Sequence, residues 1–107
     1  MFVNLTPHVL SVKLADGGFL AIPPDGRIAR VSVTRAPIDN VGGVCIYQTR
    51  FGDVIGLPEP EPNTKLIVSA LVKIHPSLQG RGDVFSPGSL IRDPEGKPIG
   101  CDGLDAR

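Results

Sequence analysis

Residues 83–103 read DVFSPGSLIRDPEGKPIGCDG, and this stretch decides the fold class. Two short apolar-centred runs, Ser89-Leu90-Ile91-Arg92 and Lys97-Pro98-Ile99-Gly100-Cys101, flank Asp93-Pro94-Glu95-Gly96. Asp-Pro-x-Gly suits a type I turn: the Asp side chain accepts from backbone amides ahead of it, Pro presets φ, and Gly tolerates the exit geometry. The stretch therefore predicts a β-hairpin. Pro98 has no N–H for a ladder, so the returning strand is an edge or begins near that residue. Pro87-Gly88 and Asp102-Gly103 punctuate the two ends. A hairpin alone is marginal in water, so the rest of the chain must pack against it.

The same grammar runs back to the N-terminus. Phe2-Val3-Asn4-Leu5 is a short opening strand closed by Thr6-Pro7-His8. Residues 9–15 alternate, with Leu10, Val12 and Leu14 on one face and Ser11 and Lys13 on the other, the period of a half-buried strand. Asp16-Gly17-Gly18 is a tight turn, and residues 19–22 return as the partner strand. After Pro23-Pro24-Asp25-Gly26, residues 27–34 place Ala29, Val31 and Val33 inward. Residues 35–43 (RAPIDNVGG) read as a loop. Residues 44–48 and 54–57 read as two strands separated by Thr49-Arg50-Phe51-Gly52-Asp53. Pro58-Glu59-Pro60-Glu61-Pro62 is a stiff, exposed strap with polyproline II character.

Residues 65–74 (KLIVSALVKI) are the most apolar run and are ambiguous between two periods. β-branched content favours a strand, whereas Asn63 or Thr64 as N-cap and the spacing of Leu66, Ile67, Ala70, Leu71 and Ile74 favour a helix. A strand over the first half that turns helical before His75-Pro76 reconciles them. The sum is a mainly β chain: one β-rich domain over residues 1–107, a small compact barrel or sandwich of about eight short strands with at most one short helix near 69–75.

Eleven basic residues balance eleven acidic ones, which excludes a whole-protein basic field for nucleic acid. Seven of the basic residues are Arg, the type suited to bidentate anion contacts. Thirteen Gly and eleven Pro accompany a hydrophobic fraction of 41%, so they mark turns between strands rather than disorder. No apolar run approaches a membrane span and no secretory signal opens the chain, so Cys45 and Cys101 are expected as reduced thiols in a cytoplasmic setting.

Asn4-Leu5-Thr6-Pro7-His8, Gly56-Leu57-Pro58-Glu59-Pro60, Ile67-Val68-Ser69-Ala70-Leu71-Val72 and the close Leu90-Ile91-Arg92-Asp93…Gly96…Ile99-Gly100-Cys101…Gly103-Leu104 resemble a family of small phage and bacterial proteins. The likeness covers most of the chain. It implies a phage or mobile-element context and a cytoplasmic setting, host cytoplasm for a phage product. It implies no activity and no functional residue.

The chemistry-bearing residues allow several readings. His8, Cys45, His75 and Cys101 form a Cys2His2 set in composition, but zinc ligands usually come in pairs two to five residues apart, and these are scattered singletons. Cys101-Asp102 is a fragment of a nucleophilic site without a visible His, and a packed thiol is its ordinary reading. Asp83 with Asp93 or Asp102 leaves a carboxylate hydrolase open. Arg81-Gly82-Asp83 spells an adhesion tripeptide whose ordinary role is a turn with an internal ion pair.

Arg81, Asp83, Arg92 and Asp93 around Pro87-Gly88 form the best candidate site, with His8, Arg50 and Phe85 as further contacts. Arg in loops beside Gly amides can hold a phosphate or carboxylate, and an aromatic ring can stack on a base. The alternative is that these Arg pair internally with the matched Asp. The sequence therefore suggests a non-enzymatic, cofactor-free, metal-free binding protein for an anionic, nucleotide-type small molecule, a sponge against host defence in the phage context. An interaction or minor structural module and a small hydrolase are the other readings. Exposed strand edges and a small core point to a homo-oligomer.

Overall fold

Most apolar runs become strands, and the tight turns read at Asp16-Gly17-Gly18 and Asp93-Pro94-Glu95-Gly96 are turns. The computed structural model describes residues 1–107 and contains ten strands and one short helix. The strands are β1 (Phe2–Asn4), β2 (Leu10–Lys13), β3 (Phe19–Ile22), β4 (Arg30–Val41), β5 (Val44–Ile55), β6 (Lys65–Ile67), β7 (Val84–Pro87), β8 (Leu90–Arg92), β9 (Pro98–Cys101) and β10 (Leu104–Ala106). The helix, α1, is Ala70–Lys73, followed by a 3-10 turn at Pro76–Leu78.

The hairpin read at residues 89–101 is β8–β9. Asp93 Oδ1 accepts from the amides of Glu95 (3.0 Å) and Lys97 (2.8 Å), and Gly96 takes φ 84°, so each turn residue does what its type predicts. Pro98 opens β9, which is not an edge: β9 lies between β8 and β2 in the order β3-β2-β9-β8. A second sheet runs β1-β6-β7-β10, with β1, β6 and β7 parallel and β10 antiparallel.

The two four-stranded sheets face one another as a small sandwich. Along residues 66–68 the side chains alternate between two cores. Ile67 packs with Val12, Ile22 and Cys101 between the sheets. Leu66 and Val68 point the other way, into a cluster with Leu5, Ala29, Val72, Leu78 and Val84 beneath α1. Neither sheet closes on itself, so the barrel form of the expectation gives way to the sandwich. Residues 65–74 resolve as strand then helix, as the mixed period implies. The N-cap is Ser69, whose hydroxyl accepts from the Val72 amide, rather than Asn63 or Thr64.

The NLTPH segment is a buried polar knot. Asn4, 1% exposed, donates to the carbonyls of His8 (2.8 Å) and Ile22 (3.0 Å). Its Oδ1 accepts from the Thr6 amide (3.0 Å) and hydroxyl (2.6 Å). One side chain thus fastens β1 to the end of β3 and folds the intervening loop. Every buried side-chain nitrogen and oxygen of the protein has a hydrogen-bond partner.

The departure from expectation is β4–β5. Residues 35–43 are not a loop, and residues 49–53 do not separate two strands. Both belong to one antiparallel hairpin of 12-residue strands that pair only with each other. Gly42 (φ 58°) and Gly43 (φ 83°) form the two-residue turn, both in the left-handed region as a type I′ turn requires. Register shifts between Val31 and Val33 and between Pro37 and Asp39 absorb Gly52-Asp53 and Ile38 as bulges. The hairpin is an arm. The radius of gyration is 17.0 Å, against about 13 Å for a compact chain of this length, and the long axis is 55 Å.

Candidate functional site

The seven residues singled out from sequence fall in separate places. Arg81 and Asp83 precede β7 and bind each other twice, Nε to Oδ1 and Nη2 to Oδ2, both at 2.9 Å; Arg81 also donates to the Pro58 carbonyl at 3.1 Å. This contact ties the Pro/Glu strap to the second sheet. The doubly bonded Arg81 guanidinium holds the Asp83 carboxyl below its ordinary range, with partial burial working against that shift. Arg92 and Asp93 sit at the β8–β9 turn, where Arg92 donates to the Gly96 carbonyl at 2.8 Å and Asp93 organises the loop. His8 is exposed after the NLTPH knot. Arg50 lies on the arm, 3.5 Å from Gln48 Oε1, and half-buried Phe85 lies under the Lys65 ammonium at 5.8 Å.

The Cys2His2 set is likewise dispersed. Cys101 is buried between the sheets and Cys45 is exposed on the arm. His75 caps the 3-10 turn: Nδ1 accepts from the Ser77 amide at 3.1 Å, which fixes the proton on Nε2 for donation to the Gly52 carbonyl at 2.8 Å. That bond pins the arm to the body at its bulge.

Three surface cavities exist, and none is lined by any of the seven residues. One, of about 340 Å³, lies between β1 and the Pro23-Pro24 and Pro58 segments. Its charges are Asp25, Glu59 and Glu61 against Arg27 and the Met1 ammonium, and Arg27 is already bonded to Asp25 at 2.6 Å. Carboxylates outnumber cations there, so its field does not favour an anion. A second, of about 360 Å³, is an apolar cleft at the root of the arm, lined by Phe51, Leu71, Ile74, His75 and Pro76.

The unexplained chemistry of the surface is on the arm and at its root. No residue from 30 to 55 is buried, and only Val31, Ala36 and Val54 are half-buried. Val31 and Val54 anchor the arm on the α1 core. Beyond them Val33, Ile38, Val41, Val44, Ile46, Tyr47 and Phe51 stand 40–61% exposed. Cross-strand partners share a face, so Val41 and Val44 form one apolar knob at the tip, with Ile46 and Asp39 as the pair below it on the same side. Arg35 stacks on Tyr47, 4.1 Å from the ring centroid, on the opposite side. The outer edge of β5 carries no Pro and offers a run of backbone donors and acceptors.

Sequence reasoning passed over this arm because Pro37 and the bulges break its alternation. Val41-Gly42-Gly43-Val44, a Gly pair between two β-branched residues, was the signal for it. Comparison with protein-family models, curated proteins and solved structures returns no match. No helix of the chain is long and apolar enough to cross a membrane.

Proposed function

We propose that this protein is a non-enzymatic module that assembles with copies of itself through the β4–β5 arm. The observation that carries this reading is the arm: 12-residue strands that leave the sandwich, bury nothing beyond their anchor at Val31 and Val54, and display seven large apolar side chains past that anchor. An unsupported ribbon of this length gains stability by packing against another surface. Capture of an anionic small molecule, the reading the Arg-rich loops suggest, is less well supported. Arg81 already uses three of its five N–H donors on Asp83 and Pro58, and Arg92 is engaged by Gly96.

The test removes the arm and keeps its turn. Deletion of residues 35–41 and 44–49 joins Thr34-Gly42-Gly43-Arg50, so that an existing cross-strand pair closes on the existing Gly turn. The shortened chain is expected to keep the sandwich, with a radius of gyration of about 12 Å by X-ray scattering. It is expected to sediment as a monomer where the intact protein sediments as an oligomer. An intact protein that sediments as a monomer, or a shortened one that assembles like it, contradicts the reading.

A further inference from the structure

The arm offers a knob and the body offers a hole, and the chain contains both. The knob is the tip, where Val41 and Val44 flank the Gly42-Gly43 turn and Ile38 and Ile46 follow on the strands. The hole is the root cleft of about 360 Å³ between Phe51 of β5 and the Leu71, Ile74, His75 and Pro76 segment. The tip cannot reach its own root: about eight residues of strand, roughly 25 Å, hold them apart. We propose that the tip of one copy seats in the root cleft of a second copy, and that this contact is how the arm assembles the protein; the proposal rests on the self-assembly reading above.

Three features favour a second copy as the occupant. First is area. Ile38, Val41, Val44 and Ile46 at the tip and Phe51, Leu71 and Ile74 at the cleft are 40–62% exposed. At about half of a large side chain's area apiece they present roughly 500–600 Å² of apolar surface per copy, the greater part of the ~800 Å² per partner of a stable interface. Second is charge. Asp39 lies at the tip, on the side of Ile46, while the Arg107 guanidinium sits beside the cleft, donating to the carbonyls of Lys73 (3.1 Å) and His75 (3.2 Å). An acidic group on the knob meets a cation beside the hole. Third is shape: a two-residue Gly turn is the narrowest end a hairpin can have, and the cleft is open and apolar. Because one chain supplies both halves, two copies can satisfy each other reciprocally with the same tip-to-root span.

Site-directed disulfide trapping tests the contact on the full chain, with Cys45→Ser to remove the exposed native thiol. Val44→Cys places a thiol on the knob, and Ile74→Cys, on a side chain 62% exposed, places one at the cleft. Cys101 stays buried between the sheets, so each protein carries one exposed cysteine, and a one-to-one mixture under mild oxidant is expected to give a reducible species of two chains, faster than either protein alone. Phe19→Cys, on a side chain 45% exposed on β3 and away from Cys101, is the control partner and is expected to crosslink at the background rate. Crosslinking of Val44→Cys to Phe19→Cys as fast as to Ile74→Cys overturns the proposal. So does an arm-dependent oligomer in which no Val44–Ile74 crosslink forms, and that result leaves self-assembly through the arm standing. A wild-type monomer in sedimentation, with no crosslink, overturns both.

Discussion

Replacement of Asn4 by Ala tests whether the NLTPH segment is a structural knot. Asn4 is 1% exposed and makes four hydrogen bonds of 2.6–3.0 Å. Truncation to Ala leaves the Thr6 amide without its acceptor in a closed environment and takes one donor each from the Ile22 and His8 carbonyls, while the Thr6 hydroxyl keeps its bond to the His8 carbonyl at 3.3 Å. A buried orphan costs about 1–3 kcal/mol and each further bond lost about 1, so together they cost roughly 3–4 kcal/mol. That is a large share of the 5–15 kcal/mol typical of a whole domain, and corresponds to a fall in Tm of about 12–25 °C. Thr6→Val keeps the Thr6 amide bond to Asn4 and loses only the hydroxyl, for about 1 kcal/mol. Urea denaturation followed by far-ultraviolet circular dichroism, with equal m-values, reads both. A cost below about 1 kcal/mol for Asn4→Ala, or equal costs for the two variants, refutes the reasoning that Asn4 joins β1 to β3.

Three further expectations follow from single contacts. Asp83 titrates lower in the folded protein than in the unfolded chain because Arg81 bonds it. Its ion pair therefore contributes fully above about pH 4 and is lost as pH falls through the unfolded and then the folded pKa; Asp83→Asn should flatten that acid limb of the stability-pH profile and cost about 1–2 kcal/mol at pH 7. An unchanged acid limb argues against the pair. Gly100→Ala puts a Cβ 2.6 Å from the Ser11 carbonyl where β9 meets β2, and thermal melts should show a loss of about 1–3 kcal/mol. Gly42→Ala with Gly43→Ala strains the arm turn by about 1–2 kcal/mol per residue. Since the arm buries nothing beyond Val31 and Val54, amide exchange should accelerate along β4 and β5 while β6 and β7 keep their protection; uniform acceleration would show that the arm folds only with the body.

What the sequence made legible was local. Asp93-Pro94-Glu95-Gly96 and Asp16-Gly17-Gly18 specify their turns through side-chain acceptors and positive φ, and both hairpins lie where those residues place them. Residues 65–74 carried two periods because they are two elements, a strand whose side chains feed two cores and a helix capped by Ser69. Sheet order was not legible, since β1, β6 and β7 meet as parallel neighbours across long sequence separations. The arm was hidden for a related reason. A strand exposed on both faces has no core to impose strict alternation, so Pro37 and Gly52 could stand inside it and read as breaks. The candidate site was half legible. The pairing of Arg81 with Asp83 was one of the two readings open for it, but spacing alone could not tell a pair facing a ligand from a pair facing each other.

The most direct measurement is amide exchange of the arm as a function of protein concentration, across the range from about 1 μM to about 1 mM that brackets an ordinary interface. If copies assemble through the arm, the amides of β5 and of the Val41–Val44 turn gain protection as concentration rises, as does the backbone near Leu71 and Ile74. The buried strands β6 and β7 stay constant. Arm exchange that is fast and identical at every concentration contradicts assembly through β4–β5.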